Sequence, residues 1–458
     1  MTMMLRAPAV AGAFYPADPA ALARMVGDCV GDAHVEPLPA KAIIAPHAGY
    51  VYSGRVAGTA YAAVRHLGDR VTRVVLLGPA HRLSFRGIAV PSADGLATPL
   101  GAVPVDAAAL HAVRGLPGLR ELDAAFDGEH ALEVHLPFIQ CLFPRAAVVP
   151  LLVGDAEPAD VDALLEALWG GPETLIVVSS DLSHFHDHAS ACRLDRDTSH
   201  AIEAADVGRL CGERACGHVP VAGLLMRARA LDLRITTRDL RNSGDTAGDR
   251  HRVVGYGAYS LEPADEARLP DAQRALLLET ARRTLAHAVH DGRAPDLRDE
   301  DFPLPLRAIR RTFVTLEVEG ALRGCVGSVQ ATRPLAEDVV ANTLRSALQD
   351  PRFGPLTAAE LPRVVITLSI LSHDRPLPFR DEAELAARLR PGTDGLLLRP
   401  RHSGALFLPK VWNALPEPRA FVAQLKRKTG LPADHDVAGL EAFVFTAETF
   451  ATAQAAAR

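Results

Sequence analysis

Five short apolar or β-branched runs, at 41–45, 73–78, 147–153, 174–180 and 252–261, alternate with longer amphipathic patterns over the first 262 residues. Runs this short and this apolar keep no polar face for water, so they read as strands buried on both sides. The patterns between them, at 18–31, 54–66, 106–114, 129–143, 158–168 and 189–206, have helical period, with Asp18 and Asp106 placed as N-caps. This alternation restricts the segment to an α/β fold around a parallel or mixed sheet. The chain has 458 residues, more than the roughly 250–300 that one core supports, so a second domain is expected.

The rhythm breaks at GAYSLEPADEARLPDA. Its Glu, Pro, Ala and Asp suit a linker at 263–270 between a first domain, 1–262, and a second, 271–458. In the second part RTFVTLEVEGALRGCVGSVQ alternates on both sides of Glu319-Gly320, which reads as a hairpin. Helices at 271–290, 334–349, 381–389 and 418–428 intersperse with strands at 363–371, 395–399 and 404–408. In the helix at 334–349, Val340, Leu344 and Leu348 mark an apolar face. Hairpin strands mixed with packed helices predict a smaller α+β domain.

The net charge of −6 offers no field to attract nucleic acid, and none is expected as a partner. The short basic run Lys426-Arg427-Lys428 reads as a solvated helix face. No stretch reaches the roughly 18 apolar residues of a membrane span. The N-terminal MTMMLRAPAVAGAFYP lacks the charged and apolar regions of a signal peptide, so a cytoplasmic protein is expected. Six cysteines without a C-x-x-C pair or a close trio argue against a disulfide framework, a four-cysteine zinc site and an iron–sulfur cluster.

Histidines stand where the strand-like runs stop. His47 follows KAIIAP, His81 follows VVLLGPA, and SSDLSHFHDH after TLIVV supplies Asp181, His184, His186 and His188. Open α/β sheets bind ligands outside the carboxyl ends of their strands. Two histidines and a carboxylate form the ligand set of open non-haem iron sites, and neutral imidazole also suits zinc or copper. His186 and His188 read as supporting or surface groups. In IIAPHAGYVYSG, Ser53 is placed to cap the following helix. GEHALEVHLPFIQ adds Glu129, His130, Glu133 and His135. A zincin needs histidines at i and i+4. Here they are five apart, which on a helix turns them about 140° from each other. Glu129 or Glu133 is suited to orient a ligand histidine through its second ring nitrogen.

VAGAFYP, APHAGYVYSG, LLGPAHR, EHALEVHLPFIQ, SSDLSH and NSGDTAGD, in this order, resemble the Memo family across nearly all of residues 1–262. The resemblance implies a fold like the class III extradiol dioxygenases, with a histidine-lined pocket. Carried onto this sequence, it implies one divalent metal (Fe, Zn or Cu) on His47, His81 and His184. His130 and Asp181 become the acid–base groups, with Tyr50, Glu129 and His135 in the pocket. Some relatives add a cysteine near the last strand. RNSGDTAGDRHRVVGY has none, and Asp245 is its nearest polar candidate. A carboxylate there shifts preference from copper towards iron, manganese or zinc.

In the second part LRGCVGS sets Cys325 between glycines, with Arg323 close enough in sequence to lower a thiol pKa. A cysteine nucleophile also needs a base, and His373, His402 and His435 are the histidines after His290. A small buried hydrophobe is the other reading of Cys325. LRGCVGS, DPRFGPL, LSILS, PGTDGLLL and ALFLPKVW together resemble the AMMECR family across 271–458. That implies a compact α+β domain with a groove near Arg323, Cys325, Asp350 and Arg352. Memo-like and AMMECR-like proteins are encoded together with a radical SAM protein, the AmmeMemoRadiSam system. The resemblance therefore implies a separate radical SAM partner and two readings. One is metal-dependent redox or hydrolytic chemistry on a small molecule. The other is a non-catalytic accessory that presents a small molecule or peptide to the radical SAM enzyme.

Overall fold

The computed structural model describes all residues except 1, 2, 34, 36, 265, 266, 400–403, 433, 434, 436, 438, 454–458 and the side chain of 299. His402 lies outside the described residues. The chain forms two compact units, Met1–Pro263 and Ala264–Arg458.

In the first unit the strands Ala42–Ala45, Thr174–Ser179, Arg73–Pro79 and Ala147–Val153 lie side by side and parallel. Val253–Pro263 adds antiparallel to Ala42–Ala45, and Ile88–Val90 antiparallel to Ala147–Val153. Alternate residues of each central strand point to opposite faces, and both faces are buried. Ile43, Val74, Leu76, Val148 and Val177 face the helices Pro19–Gly31 and Tyr50–Val64, among others. Ile44, Val75, Leu77, Val149 and Ile176 face Pro158–Leu168 and His218–Ala230. Hence the uniform apolarity of the runs. Where the helices Pro19–Gly31 and Tyr50–Val64 touch, a Cβ on Gly58 would fall 2.1 Å from the Cys29 carbonyl oxygen.

Asp18 and Asp106 do cap their helices, accepting from Ala21 N and Ala109 N at 2.8 and 2.9 Å. Ser53 does not: its helix begins at Tyr50, and its hydroxyl donates to Ala48 O at 2.8 Å. The expected helix at 129–143 is mostly absent. Only Leu136–Leu142 is α-helical, after a 3-10 turn at Glu133–His135. Glu129 draws the backbone N–H groups of His130 and Ala131 onto its own side chain, a local alternative to helical bonding. Glu133 accepts from Ala9 N, Val10 N and the Tyr15 hydroxyl. The strand Leu233–Asn242 and the helix His218–Ala230 carry no signal used above.

Among the described residues the second unit holds two antiparallel sheets. Ala321–Gly327, Arg311–Val318, Val364–Leu371 and Ala447–Ala451 form one; Arg375–Pro376, Glu441–Phe445, Gly395–Arg399 and Ala405–Phe407 form the other. Glu319 and Gly320 both have positive φ, 54° and 80°, which closes the predicted hairpin in a tight turn. The helix Leu335–Leu348 buries Leu335, Val339, Asn342 and Ser346, whereas Leu344 and Leu348 are only partly buried. Its core face is part polar because Asn342 and Asp338 bond Thr312. Leu269, placed in the linker by composition, packs in this unit's core, and its N–H reaches Glu448.

Candidate metal centre

His47, Asp181 and His81 each stand two residues beyond the carboxyl end of a strand, Ala42–Ala45, Thr174–Ser179 and Arg73–Pro79 respectively. These three strands are adjacent and parallel. A shared offset on adjacent parallel strands brings the side chains to one rim of the sheet. The ring centroids of His47 and His81 are 5.1 Å apart, and His130 lies 5.6 Å from His47 and stacks 5.1 Å from His81.

A third candidate donor is Cys216. Its Sγ is 3.3 Å from His47 Nε2, and donor atoms of His47, His81 and Cys216 all lie within 4.8 Å of one another. Asp181 fixes this thiol: its N–H points to Sγ at 3.3 Å, and its carbonyl accepts from Cys216 N. Gly217 follows as the N-cap of His218–Ala230, and a Cβ there would lie 2.6 Å from Ser179 O. Glycine thus lets the thiol turn descend onto the strand end. His81, Glu129 and His130 form a second group of the same size.

Each imidazole is oriented from behind. Ser179 Oγ donates to Ala131 O at 2.6 Å, so it accepts the Nδ1–H of His47 at 2.6 Å and leaves His47 Nε2 with a lone pair. His47 N–H donates to Asp181 Oδ1 at 2.8 Å. Glu129 Oε1 lies 3.1 Å from His81 Nδ1, and Glu129 Oε2 accepts His81 N–H. This is the carboxylate–histidine pairing that commonly supports metal ligands. Burial, reinforced by His81 and His130, holds the His47 pKa well below the usual value. Burial likewise lowers His130. Burial would raise Glu129, but bonds from His81 and from the N–H groups of Ala131 and His81 outweigh it and hold the carboxyl at about 2. Burial raises Asp181 against the His47 N–H. Burial and then Asp181 push the Cys216 thiol up to about 12. His130 Nδ1 is buried and makes no hydrogen bond, but faces Glu129 Oε1 at 3.5 Å.

Of the other expected positions, His184 is outside both groups, on the strand His184–His186 with Nδ1 donating to Leu182 O at 2.9 Å, yet near enough for its charge to act on His47 and Asp181. Tyr50 is a core residue against Tyr15 and Phe138, its hydroxyl spent on Val134 O at 2.6 Å. His135 is fully buried beside Tyr61, whose hydroxyl is 3.1 Å from its Nδ1. Asp245 caps the turn Ser243–Thr246 and pairs with His188 at 2.7 Å. Beside His47 the structure instead places a thiol, Cys216 of ERACGHVP, which the sequence reading did not name. The sequence signal was a Cys-Gly immediately before the unrecognised helix His218–Ala230.

In the second unit Cys325 lies on Ala321–Gly327 at the edge of an open groove of about 480 Å³. Asp350 accepts Cys325 N–H at 2.8 Å and grips Arg352 through both carboxylate oxygens at 2.9 and 2.7 Å. The Arg352 bonds hold the Asp350 carboxyl well below its usual range, against burial. Arg323 is turned away from the sulfur: it binds Glu360 and the carbonyls of Gly354 and Pro355.

The Memo-like protein family profile matches residues 6–260, and the AMMECR1 profile matches 278–450. A MEMO1 family protein, MTH_45, from Methanothermobacter thermautotrophicus is 36% identical over 281 residues, covering 56% of this chain and 100% of that one. A MEMO1 family protein from Aquifex aeolicus is 34% identical over 265 residues, covering 56% and 98%. The crystal structure of the uncharacterized protein PH0010 from Pyrococcus horikoshii is 28% identical with a TM-score of 0.38, covering 41% of this chain and 94% of that one. Among the described residues no helix is long and apolar enough to cross a membrane. Two families thus meet in one polypeptide: the chain belongs to the Memo-like protein family and carries an AMMECR1 domain after it.

Proposed function

We propose that the first unit binds one divalent metal, Fe, Zn or Cu, through His47, His81 and Cys216, and works on a small molecule by redox or hydrolytic chemistry. The supporting observation is the donor set: two imidazoles and a thiol within 4.8 Å of one another. Thiolate and imidazole together suit these metals and disfavour Mg or Ca. A bound ion would supply Lewis-acid polarisation and, for iron or copper, electron transfer. The His130–Glu129 pair, Nδ1 to Oε1 at 3.5 Å, is suited to exchange a proton with a substrate, and Asp181, raised by burial, to hold one. Histidines at strand ends of an α/β sheet support a class III extradiol dioxygenase-like reading of the fold. Metal analysis of the purified chain tests the proposal. Near-stoichiometric metal is expected in wild type and in Asp245→Asn, and its loss in His47→Ala and Cys216→Ala. Trace metal, unchanged in those two variants, refutes it.

A second reading makes the chain an accessory to a separate radical SAM protein; what supports it is that a Memo-like and an AMMECR1 domain meet in one polypeptide. Anaerobic co-purification with that partner is expected on this reading, and its absence counts against it.

A further inference from the structure

The second unit carries a feature that the metal centre does not explain. Its groove is lined by apolar Phe313, Leu406, Phe407 and Val411 together with Cys325, Lys410 and Lys428. Lys428 belongs to the basic run expected to be a solvated face. Arg427 and Lys428 are exposed, as expected, but Lys426 is fully buried on Glu382 and the His435 carbonyl, and Lys428 also lines the groove.

The charges do not balance. Asp350 is neutralised by Arg352. Lys410 and Lys428 have no carboxylate partner among the described residues. Lys410 Nζ donates to Thr315 Oγ1 at 3.0 Å, and Lys428 Nζ to Leu406 O at 3.0 Å. Three positive lining residues against one negative leave a net +2 beside an apolar lining. Lys428 reaches solvent, lies 5.2 Å over the Phe407 ring, and is pushed below the ordinary lysine pKa by the protein around it. An ammonium offers three N–H donors and no acceptor, so each lysine keeps donors for a ligand. For the same reason Thr315 must accept from Lys410. Its one hydroxyl proton is then free for Cys325 Sγ, 3.4 Å away.

We propose that this groove binds a small organic anion, a carboxylate or phosphate on an apolar body. Lys410 and Lys428 hold the anionic group. The apolar part lies on Phe313 and Phe407, against the Cys325 sulfur. The volume falls within the roughly 300–1,000 Å³ of small-molecule sites. Apolar lining beside two cations selects against bare inorganic anions and against neutral hydrocarbons alike.

Protection of Cys325 from iodoacetamide in the full chain, read by peptide mass spectrometry, tests this. Cys141 and Cys211, both exposed, serve as internal controls. Phenyl phosphate and phenylacetate are the two anionic probes, with inorganic phosphate and benzyl alcohol for comparison. The better anionic probe, at about ten times its Kd, is expected to slow Cys325 alkylation about tenfold and to leave the controls unchanged; which one wins distinguishes phosphate from carboxylate. Lys410→Met/Lys428→Met should lose the protection, and Lys410→Arg/Lys428→Arg, which keeps the charge if the methionine pair misfolds, should retain it. Equal protection by benzyl alcohol or by inorganic phosphate, protection surviving in the methionine pair, or none from either anionic probe overturns the proposal.

Discussion

Replacing Ser179 by alanine is the sharpest test of how the metal centre is built. The hydroxyl bridges two buried groups, His47 Nδ1 and the Ala131 carbonyl, each at 2.6 Å. Alanine leaves both unpaired in a site with no room for solvent at His47, which is 2% exposed. An orphaned buried polar group costs about 1–3 kcal/mol. Allowing for partial relaxation, the unit should lose about 2–4 kcal/mol in urea unfolding. The ligand effect is separate. Without Ser179 the imidazole can move its proton to Nε2, the nitrogen facing Cys216, and lose the lone pair. Loss of such a supporting bond typically lowers metal affinity by about 10–100-fold. Competitive zinc titration against a chromophoric chelator measures this on the full chain. A variant destabilised as stated but binding zinc as wild type does would refute the tautomer argument. No change in either quantity would refute the hydrogen-bond assignment itself.

Other outcomes follow from individual contacts. Burial holds the Asp195 carboxyl at about 6, above its unfolded value. The folded state therefore keeps a proton that the unfolded chain has lost, and stability falls as pH rises from about 4 to about 6, by at most about 3 kcal/mol. Asp195→Asn should flatten that window in urea midpoints, and a parallel pH profile would contradict the assignment. Gly58→Ala forces two helix backbones apart and should cost at least about 1–3 kcal/mol, seen as a lower Tm; an unchanged Tm is incompatible with that contact. Arg323→Gln should speed hydrogen exchange over 354–360 while Cys325 alkylation stays within about twofold, because the guanidinium serves the loop and not the thiol. A large change in alkylation would restore Arg323 as a thiol-activating group.

The parallel core was readable because both faces of its strands are buried, which writes an unbroken apolar run into the sequence. Val253–Pro263 was readable for the same reason. Leu233–Asn242 was not, since Arg234, Arg238 and Arg241 interrupt it and find their partners only in the fold, Arg238 on Ser260 and Glu262, and Arg241 on Asp239. His47 and His81 could be named from strand ends alone. Cys216 could not: it comes from a loop remote in sequence and reaches the rim through the Gly217 turn. The helical reading of 129–143 failed because period is a local signal. Glu129 and Glu133 instead spend their carboxylates on His81 and on the segment around Val10.

The partners behind the three donors bear on how an ion would arrive. His47 is held by Ser179 and Asp181, His81 by Glu129, and Cys216 by Asp181. Loading should therefore be a docking event on a finished scaffold, unlike small zinc domains whose folding and metallation are one transition. A chelator would strip the ion and leave the unit folded, and returning the ion would raise Tm only by mass action. Different metals could then exchange in the mature protein, so the occupant would reflect supply as well as affinity.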